Sequence, residues 1–156
     1  MGMGSGEPLD EEAIAAATNA FEDRLGECVH RIRYKNSRDG QFESACRTPH
    51  EARVTVVPGI HQAGGYFDIQ WWTNGDYKYH YREKGLEFRF GREADNVDTS
   101  NPVRHFHPPS DLSNHLPSCI EGELPPELVT IAVGTTWFAA VKDSEPGRLN
   151  DQNNLP

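Results

Sequence analysis

The sequence predicts an α+β fold, in which an antiparallel β-meander carries an N-terminal and a C-terminal helix packed on one face. Three observations support it. Two runs alternate polar and apolar residues with period two: Tyr77, Tyr79 and Tyr81 against Lys78, His80 and Arg82, then Leu86, Phe88 and Phe90 against Glu87 and Arg89. Lys84-Gly85 separates these runs and Asn74-Gly75 precedes them, and both dipeptides suit hairpin turns that need a positive φ. Segments with helical spacing of apolar residues stand near either end of the chain.

The turns set the register. A two-residue turn at Lys84-Gly85 places Glu83 opposite Leu86, Arg82 opposite Glu87, Tyr81 opposite Phe88 and His80 opposite Arg89. One face then carries Tyr79, Tyr81, Phe88 and Phe90; the other carries Lys78, His80, Arg82 and Arg89. A slip of one residue would mix the two sets, so burial of the aromatics fixes the pairing. At residues 66–73, a strict two-residue Asn74-Gly75 turn would put Phe67, Ile69 and Trp71 on the face of His80. A three-residue loop, Thr73-Asn74-Gly75, with a left-handed Gly75 puts them with the tyrosines instead. The longer loop keeps one consistent apolar face, and Asp68 and Gln70 then join His80 and Arg82.

The remaining elements follow in order. A helix is expected over residues 11–28, capped by Asp10, with Glu11 and Glu12 at its positive end and Ile14, Ala17, Phe21, Leu25 and Cys28 on its inner stripe. A weak strand covers 29–35, a polar loop 36–49, and a better strand 51–57, ended by Pro58-Gly59. After Phe90 a loop over 91–102 leads to an extended segment at 103–109. There His105 and His107 share one side, and Pro108-Pro109 stops further pairing. Pro125-Pro126 opens a helix over 127–141, with Leu128, Ile131, Ala132, Thr135 and Phe138 as its inner stripe. Residues 1–10 and 143–156 read as flexible ends around a single domain at 11–142.

Composition narrows the classes. A net charge of -9 argues against a broad, non-specific nucleic-acid binder. The acid excess, with eleven Arg to four Lys, resembles halophilic-type composition. Mean hydropathy is -0.70 and no apolar run approaches the roughly 18 residues of a bilayer span. The N-terminus lacks the basic and apolar regions of a secretory signal, and Cys28, Cys46 and Cys119 show no CxxC spacing. A reducing, cytoplasmic setting is expected. Neither a phosphate-binding glycine loop nor a Gly-x-Ser-x-Gly elbow occurs.

The cationic face with His80 at its centre is the candidate site. Tyr77-Lys-Tyr-His80, Phe88-Arg-Phe90 and Arg104-His-Phe-His107, in that order and spacing, resemble TumE-type toxins over residues 66–111. The resemblance implies a toxin component encoded beside a helix-turn-helix antitoxin of the TumA type, with RNA as the substrate. RNA cleavage without a metal needs a base for the 2′-OH, a cation for the phosphorane and an acid for the leaving 5′-oxygen. His80 with His105 or His107 would supply the proton transfers, and Lys78, Arg82, Arg89 and Arg104 would hold the phosphate. For the pair to join His80, residues 103–109 must return beside the 77–82 strand or lie across its polar face. Trp72, if exposed on that face, would stack a base.

Two alternatives use the same residues. The face is a non-enzymatic surface that docks a partner protein, or His105 and His107 bind a metal together with His80 or Asp111. No carboxylate or Cys completes a recognisable ligand set, so neither metal nor cofactor is expected. His50, His61 and His115 fall in loops and are given no role.

Overall fold

Apolar side chains at every second position of successive strands leave one sheet face that must be covered, and both helices close over it. The computed structural model describes residues 8–45 and 48–154. In chain order the elements are α1 (Glu11–Leu25), β1 (Val29–Lys35), β2 (Glu51–Val56), β3 (Gly65–Trp71), β4 (Tyr77–Glu83), β5 (Leu86–Arg92), β6 (Arg104–His107), β7 (Leu116–Pro117) and α2 (Pro126–Asp143). Short 3-10 turns follow β5 and α2. The seven strands form one sheet whose spatial order is the chain order, antiparallel throughout. The predicted α+β meander with its two helices is therefore the fold.

The register is the predicted one. Glu83 pairs with Leu86, Arg82 with Glu87, Tyr81 with Phe88 and His80 with Arg89 across a turn in which Gly85 has φ of 82°. Between β3 and β4, the Trp72 N–H donates to the Asp76 carbonyl at 2.9 Å. That bond leaves Thr73-Asn74-Gly75 as the loop, with Gly75 at φ 92°, and sets Phe67 opposite Tyr81 and Ile69 opposite Tyr79.

Phe67 is the hub of the core. Its ring centroid lies 5.1 Å from Phe21 of α1, 4.9 Å from Tyr81 of β4, 6.1 Å from Phe88 of β5 and 5.9 Å from Trp137 of α2. One side chain thus joins both helices to the middle of the sheet. The buried Tyr79 hydroxyl accepts from Trp71 Nε1 at 3.0 Å and bonds the Thr130 hydroxyl of α2, so it is not left unsatisfied.

Several boundaries differ from expectation. Asp10 caps α1 by accepting from the Ala13 N–H at 3.0 Å, but the helix stops at Leu25 rather than at residue 28. Gly26 follows, and the Cys28 carbonyl accepts from the Val57 N–H at 2.8 Å, so the sheet takes the chain there. In α2 the expected stripe is out of phase. Leu128 is 49% exposed, and the buried line runs through Val129, Ala132, Val133, Thr136, Trp137 and Ala140. The helix is apolar around much of its circumference because it packs on α1 as well as on the sheet, so periodicity alone left its phase open. Gly134 fits this second contact: a Cβ there would stand 2.5 Å from Leu25 Cδ1.

Strand β7 was not anticipated. Trp72, which would have stacked a base if exposed, is buried and bridges to Leu9. Beyond α2 the chain does not stand clear, because Leu149 is buried and the Asn150 side chain accepts from the Cys119 N–H at 2.6 Å. Residues 1–7 of the expected lead-in, and Cys46, lie outside the described residues. Cys28 and Cys119 are buried free thiols, and burial pushes Cys119 up to about 11.

Removing the hub should loosen every layer together. Phe67→Ala is expected to cost about 3–5 kcal/mol in denaturant unfolding, the range for deleting a fully buried aromatic side chain. A loss below about 1 kcal/mol would show that the ring cluster does not hold helices and sheet together.

Candidate functional site

Because every pairing is antiparallel and in register, residues of the uncovered face line up across the strands. One row reads Arg33, Arg53, Asp68, His80, Arg89 and His107 from β1 to β6. On one side of it stand Arg31, Thr55, Tyr66, Arg82 and Glu87, and on the other Gln70, Lys78, Gly91 and His105.

Part of the charge in these rows is already matched. Arg53 donates to both oxygens of Asp68, at 2.8 and 2.9 Å, while the Phe42 and Tyr66 rings lie 4.2 and 4.1 Å from its guanidinium carbon. The hydrogen bonds to Asp68 raise its pKa. Lys35 pairs with Glu51 at 3.0 Å. Glu87 lies between two partners, with Oε2 at 3.3 Å from His80 Nε2 and Oε1 at 3.4 Å from Arg82 Nε. Burial lowers the pKa of His80 and the neighbouring Arg82 lowers it further, while the hydrogen bond to Glu87 works in the opposite direction. Burial likewise lowers Lys78.

Arg89 is different. It sits between His80 and His107 in the row, and among the described residues no carboxylate forms an ion pair with it. Its buried Nε has no hydrogen-bond partner among those residues. Burial lowers its pKa, opposed by Glu93. A half-buried guanidinium without an ion pair, set beside His80 and His107, is a candidate anion site.

His105 and His107 reach the face from a different strand than expected. They pair with β5 instead of lying beside β4, so Arg89 stands between them and His80. Two strand spacings separate His107 from His80, roughly 10 Å between backbones. His107 Nδ1 lies 2.7 Å from the Leu112 carbonyl, and His105 Nδ1 lies 3.2 Å from those of Pro102 and Val103. Both imidazoles are buried, which lowers their pKa values, His107 to about 4 with Arg89 contributing.

Three placements escaped the sequence reading. Arg104 does not join the face: it pairs with Arg92 on the helix side of the sheet and makes an ion pair with Glu123. The alternation used for the other strands already set Arg104 with Phe106, away from the histidines. Glu87 belongs to the site, and the predicted register had placed it opposite Arg82. His115, set aside as a loop residue, closes on His105 and His107, with ring centroids 5.2 and 4.3 Å away. No local signal revealed this, because β7 brings it back by pairing Leu116 with Phe106 and Pro117 with His105. Trp72 is buried, so the aromatic on this face is Tyr66. Asp111 bonds Ser113 and lies outside the histidine group.

The fold and site define a small α+β protein whose open sheet face gathers histidines around an unmatched cation. Within that class, the family model described as Toxin TumE matches residues 22–133, and the chain belongs to this family. It is thereby a toxin component of a toxin–antitoxin system, with an antitoxin as partner. No curated protein and no solved structure matches the chain. Among the described residues no helix is long and apolar enough to cross a membrane.

The Glu87 contact makes a titration prediction. Resolved by NMR, the His80 imidazole should titrate below 6.5, and Glu87→Gln should lower its pKa further by removing the group that favours the charged form. An upward shift in the variant would mean that Glu87 does not act on His80.

Proposed function

We propose that the chain is an RNA-cleaving toxin whose scissile phosphate binds at Arg89. The single observation that carries this reading is the unmatched, half-buried Arg89 guanidinium held in register between His80 and His107. The guanidinium takes two phosphate oxygens, and Arg82 approaches from the neighbouring row. With its Nε2–H directed at Glu87, His80 keeps Nδ1 free to accept the 2′-OH proton, and its lowered pKa leaves it neutral near pH 7. The 2′-oxygen then bonds to phosphorus while Arg89 balances the charge on the non-bridging oxygens. The bond to the 5′-oxygen breaks, and this oxygen takes its proton from solvent, to which His80 returns the one it removed. Burial holds His107 at about 4, so it has no proton to give near pH 7. Lys78 adds a cation from the row on the other side of Arg89, whereas Arg104 lies on the helix side of the sheet.

The partner in this reading is a helix-turn-helix antitoxin of the TumA type, and the setting is cytoplasmic. Both rest on the likeness of the Tyr77–His80, Phe88–Phe90 and Arg104–His107 motifs to TumE-type toxins.

His80→Gln keeps a hydrogen-bonding side chain of similar size but cannot titrate. It should slow cleavage by about a hundredfold to ten-thousandfold and relieve growth arrest, with circular dichroism unchanged. Arg89→Lys keeps the charge but loses the fork, so cleavage should fall while the fold persists. Wild-type cleavage and toxicity in a folded His80→Gln protein would refute the proton-transfer role. The same face would then be better read as a docking surface for a partner protein.

A further inference from the structure

We infer that His105, His107 and His115 form a binding site for one divalent transition metal of the zinc class. The ligand-capable nitrogens of the three side chains lie within 4.8 Å of one another. Tetrahedral zinc with bonds of roughly 2.0–2.1 Å holds its ligands roughly 3.4 Å apart, so binding requires the group to contract by about an ångström. His115 is the member able to move, since it is only half-buried and stands at the end of the 108–115 loop.

The surroundings suit ligands rather than a packed apolar corner. The Leu112 carbonyl accepts from His107 Nδ1, and the Pro102 and Val103 carbonyls accept from His105 Nδ1. In each ring the hydrogen is thereby placed on Nδ1, and Nε2 is left with its lone pair. Metal-bound histidines are oriented by this kind of outer bond to a backbone carbonyl. His105 is fully buried, and its Nε2 has no hydrogen-bond partner among the described residues. A buried acceptor without a partner is costly, and a metal ion would satisfy it. Three imidazoles and no thiolate or carboxylate favour zinc, cobalt, nickel or copper over magnesium or calcium. Three protein ligands also leave a fourth tetrahedral position for water.

Two charges bear on the site. Arg89 faces the pair from β5 and disfavours a cation, whereas the half-buried Glu93 acts on both His115 and Arg89 and offsets that charge. The inference goes beyond RNA cleavage and does not depend on it.

The test uses tag-free, full-length, chelator-stripped protein without RNA. Calorimetric titration with Zn²⁺ should show one saturable equivalent, and Co²⁺ should give the intense visible absorption of a four-coordinate ion. His115→Ala should weaken Zn²⁺ binding at least about tenfold, while His61→Ala and His80→Gln should bind as the wild type does. In the wild-type Co²⁺ complex, ring protons of His105, His107 and His115 should be hyperfine-shifted, which needs no variant to fold. Absence of a saturable equivalent, or wild-type affinity in His115→Ala, would overturn the site. So would a six-coordinate Co²⁺ spectrum, or loss of binding in His61→Ala. Since His80→Gln tests cleavage and His115→Ala tests metal uptake, failure of one reading cannot be mistaken for failure of the other.

Discussion

Everything on the working face depends on the burial of the opposite one. Side chains alternate strictly along a strand, so Phe67, Tyr79, Tyr81, Phe88 and Phe90 can be covered only if Asp68, His80, Arg82 and Arg89 point the other way. A slip of one residue would drive a histidine and two arginines under the helices and bring five aromatic rings into water. At about 25 cal/mol per Å² of apolar surface, each of those rings contributes a few kcal/mol, far more than any single contact on the polar side. The site is thus positioned by packing on the far side of the sheet. Phe67 and Trp137 carry most of that constraint, since they tie the strands to both helices.

Within the polar face, Arg53 and Arg82 are paired while Arg31, Arg33, Lys78 and Arg89 form no ion pair among the described residues. Arg53 is held by Asp68 and two rings, and Arg82 shares Glu87 with His80. On the helix side, the buried carboxylate of Glu83 takes the Tyr81 hydroxyl and the N–H groups of Ile60, His61 and Gln62 and pins the connection between β2 and β3. Glu93 and Glu87 act on Arg89, but neither forms an ion pair with it. Desolvating a guanidinium without a partner is costly, so its place in the centre of the sheet is better accounted for by an external anion than by stability.

Residues 66–92 were legible because two turn dipeptides and an unbroken alternation overdetermine their register. The site residues they carry, Lys78, His80, Arg82 and Arg89, fell on one face for that reason. The phase of α2 was not legible, because a helix packed on two sides has little polar face from which to read a stripe. His115 was hidden for another reason. Its approach to His105 and His107 depends on a two-residue strand, too short to leave a periodic trace, and on a loop whose path its own sequence does not determine. Arg104 was a misreading of available information, since the rule applied to Tyr77–Arg82 also assigns it to the side of Phe106.

A net charge of -9 and a proposed RNA substrate can be reconciled through range. Beyond a Debye length of about 8 Å at physiological salt, RNA meets an acidic protein and is not drawn in by its overall field. Attraction must come from contacts made inside that distance, on the face whose rows carry Arg31, Arg33, Arg53, Lys78, Arg82 and Arg89 against Asp68 and Glu87. Few phosphates can be engaged there at once, because Arg53 is committed to Asp68 and Arg82 shares Glu87 with His80. The salt dependence of binding scales with the number of phosphates neutralised, so this geometry corresponds to a shallow slope. A face of this kind suits local recognition of one scissile phosphate in flexible RNA better than retention of a long duplex.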